Sequence, residues 1–311
     1  MQELGWLSQP AVFPWVALAV GLCIGSFLNV VIHRLPRMMD REWLRNVPEI
    51  LEESKELGDR DAGARLAQGV RDQIRHFEQE RFNLLVPRSR CPACGQRISA
   101  LQNIPVISWL VLRGRCTKCG TGISAMYPAV ELIAGLGAAW SAWKFGFGLA
   151  AVGAMVFVWC TIALAIIDQR TGLLPDEITL SLLWFGILLN AWATFVPLQD
   201  AVIGAAGGYL FLWLVYWGFK LIFRKEGMGY GDFKMNAAVG AFLGWKLLPI
   251  VILISSIVGI VFGIAQMFVA KRGWQWGFKF HFGPYIAIAG IVAMFWGHDI
   301  LARFSFFTIA G

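Results

Sequence analysis

Charge is what this sequence has least of. Only 15% of its 311 residues are Asp, Glu, Lys or Arg, where a soluble domain carries about 25%, and a freely solvated globule is excluded. Hydrolytic signatures are missing as well. Neither H-E-x-x-H nor G-x-S-x-G occurs, which removes the helix-borne zinc protease and the nucleophile-elbow hydrolase. The four histidines (His33, His76, His281, His298) are scattered along the chain and group with no other metal-binding residues. No strand followed by a glycine-rich loop and a helix is present, so a nucleotide site of the soluble type is not expected. Basic stretches lack interleaved surface aromatics, and nucleic acid is not expected as a partner.

Apolar residues are what is present: 57% of the chain, with 15 Trp and 23 Phe. Runs of about 20 such residues recur, the length that crosses a bilayer core as a helix. The sequence therefore predicts an all-α polytopic membrane protein with about eight transmembrane helices. The expected spans are 11–33, 126–145, 149–167, 177–196, 201–223, 233–245, 247–270 and 284–307, the sixth being short. The first has no charged n-region and no small-residue cleavage pattern before position 34, and reads as a retained anchor.

Basic residues orient these spans. With the N-terminus outside, 24 of the 27 Lys and Arg fall in the cytoplasmic segments 34–125, 168–176, 220–234 and 271–283, leaving Lys144, Lys246 and Arg303. That asymmetry follows the positive-inside rule, and the net charge of +7 reflects orientation and contact with anionic inner-membrane lipid. The expected organisation is an anchor over 1–33, a cytoplasmic insert over 34–125 and a membrane core over 126–311. Within the insert, 37–83 mixes acids and bases at helical spacing as a solvated arm of two surface helices.

The second part of the insert carries chemistry. In "CPACGQRISALQNIPVISWLVLRGRCTKCG", two C-x-x-C pairs, Cys91/Cys94 and Cys116/Cys119, are each followed by glycine. Two such knuckles complete a tetrahedral Zn²⁺ site. Disulfides are the competing reading, which a reducing cytoplasm disfavours. Four thiolates leave no open coordination position, so one structural zinc per chain is expected, in a zinc-ribbon-like segment over about 89–122.

Outside the insert only nine acids occur: Glu3, Glu131, Asp168, Asp176, Glu177, Asp200, Glu226, Asp232 and Asp299. Ionisable groups near a span are functional candidates. Asp168 ends an apolar run, Asp176 opens the next span as a helix cap, and Asp232 follows the glycine-rich "EGMGYGDFK". A simple cap does not require Gly229 and Gly231, which would let a peptide backbone approach closely. Two carboxylates on one side of the membrane suggest an aspartyl-protease dyad, one acting as base on water and the other polarising the scissile carbonyl. Lys234 either tunes that dyad or anchors its helix.

Five blocks in order carry a resemblance: "GSFLNVVIHRLP" (25–36), the cysteine segment (89–120), "YPAVEL" (127–132), "DQRTGLLPD" (168–176) and "GMGYGDFK" (227–234), with "FGPYIAIAG" (282–290) fitting too. Together they resemble the bacterial type IV prepilin peptidases. The resemblance implies cleavage of the basic leader of type IV prepilins and type II secretion pseudopilins at the cytoplasmic face of the inner membrane. In bifunctional members it further implies N-methylation of the new N-terminal residue with S-adenosylmethionine. It places the catalytic pair on Asp168 and Asp232, with Asp176 second in its block and Gly229, Gly231 and Lys234 in support. Methyl transfer is associated with the cysteine region, making Gly114 and Arg115 candidates and Asn103 and Pro105 turn residues. Two other readings stay open: a protease of this site type with another membrane substrate, and a zinc-ribbon assembly factor without catalysis.

Overall fold

The structure, a computed structural model, describes residues 5, 9–53, 60–78, 81–225, 227–269 and 281–309. Most of the basic segment 271–283 and two of the acids, Glu3 and Glu226, lie outside the described residues. Among those described, the regular structure is helical, with only isolated bridges in place of strands. The helices are α1 (Phe13–Glu53), α2 (Arg60–Glu78), α3 (Ile107–Val111), α4 (Met126–Phe145), α5 (Leu149–Thr171), α6 (Asp176–Asn190), α7 (Leu198–Phe223), α8 (Tyr230–Leu243), α9 (Leu248–Val269) and α10 (Gly283–Ile309).

Five of these are long and apolar enough to cross a membrane by themselves: α1, α5, α7, the segment Trp245–Ala265 that contains most of α9, and α10. The other three expected spans also form helices, but differ from the expectation. α4 has 20 residues but carries Glu131 and Lys144. α6 ends at Asn190, not 196, because the buried Asn190 Oδ1 accepts the N–H groups of Phe195 and Val196 at 2.9 and 3.1 Å and turns the chain. Its amide also donates to the Ala241 carbonyl at 2.8 Å, tying that turn to α8. α8 has 14 residues, about 21 Å of rise, short of a bilayer core of about 30 Å. Eleven of its residues are buried by protein, so α8 is a central helix wrapped by its neighbours and not a lipid-facing one.

Close helix packing at that centre depends on small residues. A Cβ on Gly204 of α7 would run into the Gly240 carbonyl of α8, and a Cβ on Gly240 into that of Gly204. One turn along, Asn236 Nδ2 donates to the Gly208 carbonyl at 2.8 Å. Backbones this close, with an interhelical amide bond, are the usual device for joining helices where water supplies no hydrophobic drive.

α1 does not stop at the expected membrane boundary near residue 33. It runs unbroken through Pro36 and Pro48 to Glu53, so the first stretch of the charged arm is a rigid extension of the first span. α2 packs back along this extension, with Arg71 paired to Glu52 at 2.8 Å. The return is fixed by Arg34, whose guanidinium donates to the carbonyls of Asn83, Leu84 and Pro87.

Candidate active site

Asp168 and Asp232 sit at the same end of the bundle, each 5% exposed. Asp168 lies in the last turn of α5, which Gly172 closes in the left-handed conformation (φ 68°) by donating its N–H to the Asp168 carbonyl at 2.8 Å. The carboxylate is held from a distant part of the chain. Its Oδ2 accepts the N–H of Gly283, first residue of α10, at 3.0 Å. A Cβ on Gly283 would lie 2.7 Å from that oxygen, so glycine is what lets the positive end of the α10 dipole approach the acid.

Asp232 is held locally. It is the third residue of α8, not its cap. Its N–H donates to the Gly229 carbonyl at 3.2 Å, and its Oδ2 accepts the Gly229 N–H at 3.3 Å. This reciprocal pair satisfies two end groups of the helix at once. Asp168 lies within electrostatic range of Asp232, His281 and Tyr285, so helices α5, α8 and α10 bring their polar groups to one buried locus.

The glycines beside Asp232 do not share one role, contrary to the sequence expectation. A Cβ on Gly231 would lie 2.7 Å from Leu174 Cβ, so that space is filled by the turn between α5 and α6. Gly229 meets nothing nearer than 4.0 Å and is the one with open space beside it. Asp176 also differs from expectation. Pro175 holds the cap position of α6 without a side-chain bond, and the Asp176 carboxylate instead takes Lys234 Nζ at 2.7 and 2.8 Å through its two oxygens. Lys234 therefore bridges α8 to α6.

The four cysteines converge as their spacing suggests. All four Sγ atoms lie within 4.8 Å of one another, with Cys91 to Cys119 at 3.7 Å and Cys94 to Cys116 at 4.0 Å. Tetrahedral thiolates at a metal–sulfur distance of about 2.3 Å would stand about 3.8 Å apart, so the group fits Zn²⁺. The two knuckles are built alike. Gly95 and Gly120 take left-handed backbone (φ 68° and 70°) and donate to the Cys91 and Cys116 carbonyls. Hydrogen bonds with Thr121 pull the Cys119 thiol down to about 6, while Cys94, facing the other three sulfurs, is pushed up to about 11; four thiols this close do not all ionise without a cation between them.

Gly114 takes left-handed backbone (φ 64°) and packs against Trp109. A Cβ there would lie 2.9 Å from the Trp109 ring, so the space is already occupied. Arg115 is exposed and pairs its backbone with Gly122.

Three groups have contacts that the sequence does not specify. Gly283 was legible only as part of the "FGPYIAIAG" block. A polar junction joins α1, α4 and α5: Tyr127 Oη lies 2.8 Å from His33 Nε2, Arg170 Nη1 lies 3.3 Å from the same nitrogen, and Asn29 donates to the Tyr127 carbonyl at 3.0 Å. Glu131, 8% exposed, accepts the Val106 N–H at 2.7 Å. A lone acid in an apolar run signalled that Glu131 has a partner, without saying which.

Residues 155–264 match the type IV leader peptidase family, and residues 19–145 match the bacterial peptidase A24 N-terminal domain. A protein of Stutzerimonas stutzeri is 47% identical over 297 residues, covering 96% of this chain and 95% of its own. The chain belongs to the type IV leader peptidase family. Aeromonas salmonicida has a member 46% identical over 300 residues (95% and 96% of the two chains), and Pseudomonas aeruginosa one 42% identical over 293 (94% and 93%). All three bear the name prepilin leader peptidase/N-methyltransferase. No solved structure matches. The division between the two family matches falls between α4 and α5, so the cysteine knuckles belong to one half and both aspartates to the other.

Proposed function

We propose that this protein cleaves the leader of type IV prepilins and pseudopilins at the cytoplasmic face of the bacterial inner membrane, and N-methylates the new N-terminus with S-adenosylmethionine. One observation carries the proteolytic reading: two almost fully buried carboxylates, Asp168 and Asp232, reach the same locus from α5 and α8.

In this reading one carboxylate takes a proton from the attacking water while the other, protonated, donates to the scissile carbonyl oxygen. The proton then passes to the leaving amine as the carbon–nitrogen bond breaks. The Gly283 N–H orients Asp168, and the Gly229 N–H orients Asp232. Open space beside Gly229 is where an extended peptide would lie.

The membrane placement is part of the same proposal. Helices α1 and α4 to α10 supply eight crossings, α8 among them as a crossing shielded by protein. At one end stand Lys144 with Asp299 (3.8 Å) and Lys246 with Asp200 (3.2 Å). At the other stand the two aspartates with Arg34 and Arg170, and the basic excess supports a cytoplasmic position for that end. Cys91, Cys94, Cys116 and Cys119 would hold Zn²⁺, which fixes the two knuckles together and takes no part in peptide hydrolysis. The relatives' shared name supports methylation.

The test is Asp168→Asn and Asp232→Asn, each assayed on a prepilin in membranes. Loss of leader removal in both is expected, and normal processing by either variant refutes the dyad.

A further inference from the structure

The insert between α1 and α4 was expected to be cytoplasmic throughout, yet its middle has the surface of a membrane-contacting element. Ile107, Leu110 and Val111 are spaced three and four apart on one face of α3 and are 59%, 61% and 74% exposed. Leu101, in the turn that precedes α3, is 78% exposed. The other face is anchored inward by Trp109, whose Nε1 donates to the Ile123 carbonyl at 3.0 Å. A contiguous apolar face of this kind on a soluble loop would be a liability.

Its depth is fixed by two contacts. Val106, the residue before α3, donates its N–H to Glu131 Oε2 at 2.7 Å. The Glu131 backbone in turn packs on Gly25 of α1, where a Cβ would lie 2.6 Å from the Glu131 Cα. Gly25 precedes Arg34, the first basic residue of α1, by about 14 Å of helix rise. Even with the glutamate side chain fully extended toward the cytoplasm, Val106 lies below the level of Arg34, on the membrane side.

The backbone is suited to that depth. Ser108 donates to Ile104, Leu110 to Val106, Leu112 to Ser108, and Gly114 to Trp109, all between 2.8 and 3.1 Å. These bonds close α3 and its exit internally, as backbone at hydrocarbon depth requires. Immediately past the apolar face come exposed Arg113, Arg115 and Lys118, the charge that anionic headgroups would neutralise.

We propose that residues 101–112 form a re-entrant segment whose apolar face lies in the cytoplasmic leaflet. Its basic edge, Arg113, Arg115 and Lys118, rests on anionic phospholipid, and Glu131 is the tether that holds it there. The metal knuckles are thereby seated on the membrane surface. This inference rests on the membrane placement proposed above but not on the protease reading, and leader cleavage measured in the same preparation separates the two.

The experiment uses the full chain in nanodiscs of phosphatidylethanolamine and phosphatidylglycerol, with the photoreactive substitution Leu110→p-benzoylphenylalanine. The control is Leu66→p-benzoylphenylalanine, since Leu66 is also exposed and apolar but lies on α2, along the extension of α1 beyond Arg34. Illumination is expected to give a phospholipid adduct at position 110 at least tenfold more abundant than at 66. Adding Glu131→Ala should lower that yield several-fold with metal content unchanged, whereas Glu131→Gln, which keeps an acceptor oxygen, should preserve it. Equal adduct yields at 110 and 66 overturn the proposal. So does crosslinking of 110 to a prepilin or a second copy of the chain in place of lipid. Adducts that persist undiminished in Glu131→Ala remove the tether and with it the depth argument.

Discussion

The two halves of this chain assemble their chemistry in opposite ways. In the first, four thiols come from two short knuckles, each closed by its own glycine, and partly exposed. In the second, two carboxylates come from helices 64 positions apart in sequence and are buried to 5% exposure. The thiol site is a local construction with the geometry to hold a metal. The acid site is a product of the whole bundle, since Asp168 keeps its orientation only if α10 arrives with Gly283 beside it. A site of the first kind should fail alone, and one of the second should fail when distant packing fails.

The largest effect expected from that contrast is at the acids. Asp232→Asn should reduce leader cleavage by roughly 1,000-fold, in the range that general acid–base groups contribute, while methylation of an already processed pilin peptide continues. Cleavage kinetics on purified protein measure this, and a joint loss of both activities would show that the halves are not separable. Next, Gly283→Ala forces a carbon against the Asp168 carboxylate. A displacement of about 1 Å at a catalytic group costs about 100-fold, and cleavage should fall by that order. Normal cleavage in Gly283→Ala would show that Asp168 is held by something nearer.

Cys91→Ser tests the other half. Metal analysis should drop from about one Zn²⁺ per chain to none, with methylation impaired and cleavage retained. Metal affinity should also weaken as pH falls, because every thiol must lose its proton to bind. The smallest effect belongs to Asp176→Asn. The Asp176–Lys234 bridge joins α6 to α8, but Asp176 is 51% exposed. Such pairs contribute about 0.2–1 kcal/mol, so cleavage should fall by no more than about fivefold. A loss as deep as that of Asp232→Asn would place Asp176 in the dyad.

The contrast also explains what was legible in the sequence. The knuckles were readable because ligand, glycine and spacing lie within a few residues, and the thiols converge as expected. Asp168 and Asp232 were readable as acids at span ends, but their supports were only partly so. Gly229, three residues from Asp232, was visible. Gly283, 115 residues from Asp168, was not, because no periodicity or local motif encodes which helix end meets which acid. Gly231 misled for a related reason: a glycine making room for Leu174 reads the same as one making room for substrate. Span counting worked for the long helices and blurred at α6 and α8. There Asn190 and the protein-shielded position of α8 set the helix ends, and hydropathy did not. The extension of α1 through two prolines was hidden by the change from apolar to charged residues at Arg34, which marks a change of solvent and not the end of a helix.

Assaying cleavage and methylation side by side on purified Asp232→Asn and Cys91→Ser proteins tests the separation of the two halves most directly. Crossed defects are expected: Asp232→Asn loses leader cleavage and still methylates a processed pilin, while Cys91→Ser cleaves and no longer methylates efficiently. Parallel loss of both activities in both variants, with each protein still folded in the membrane, would contradict it.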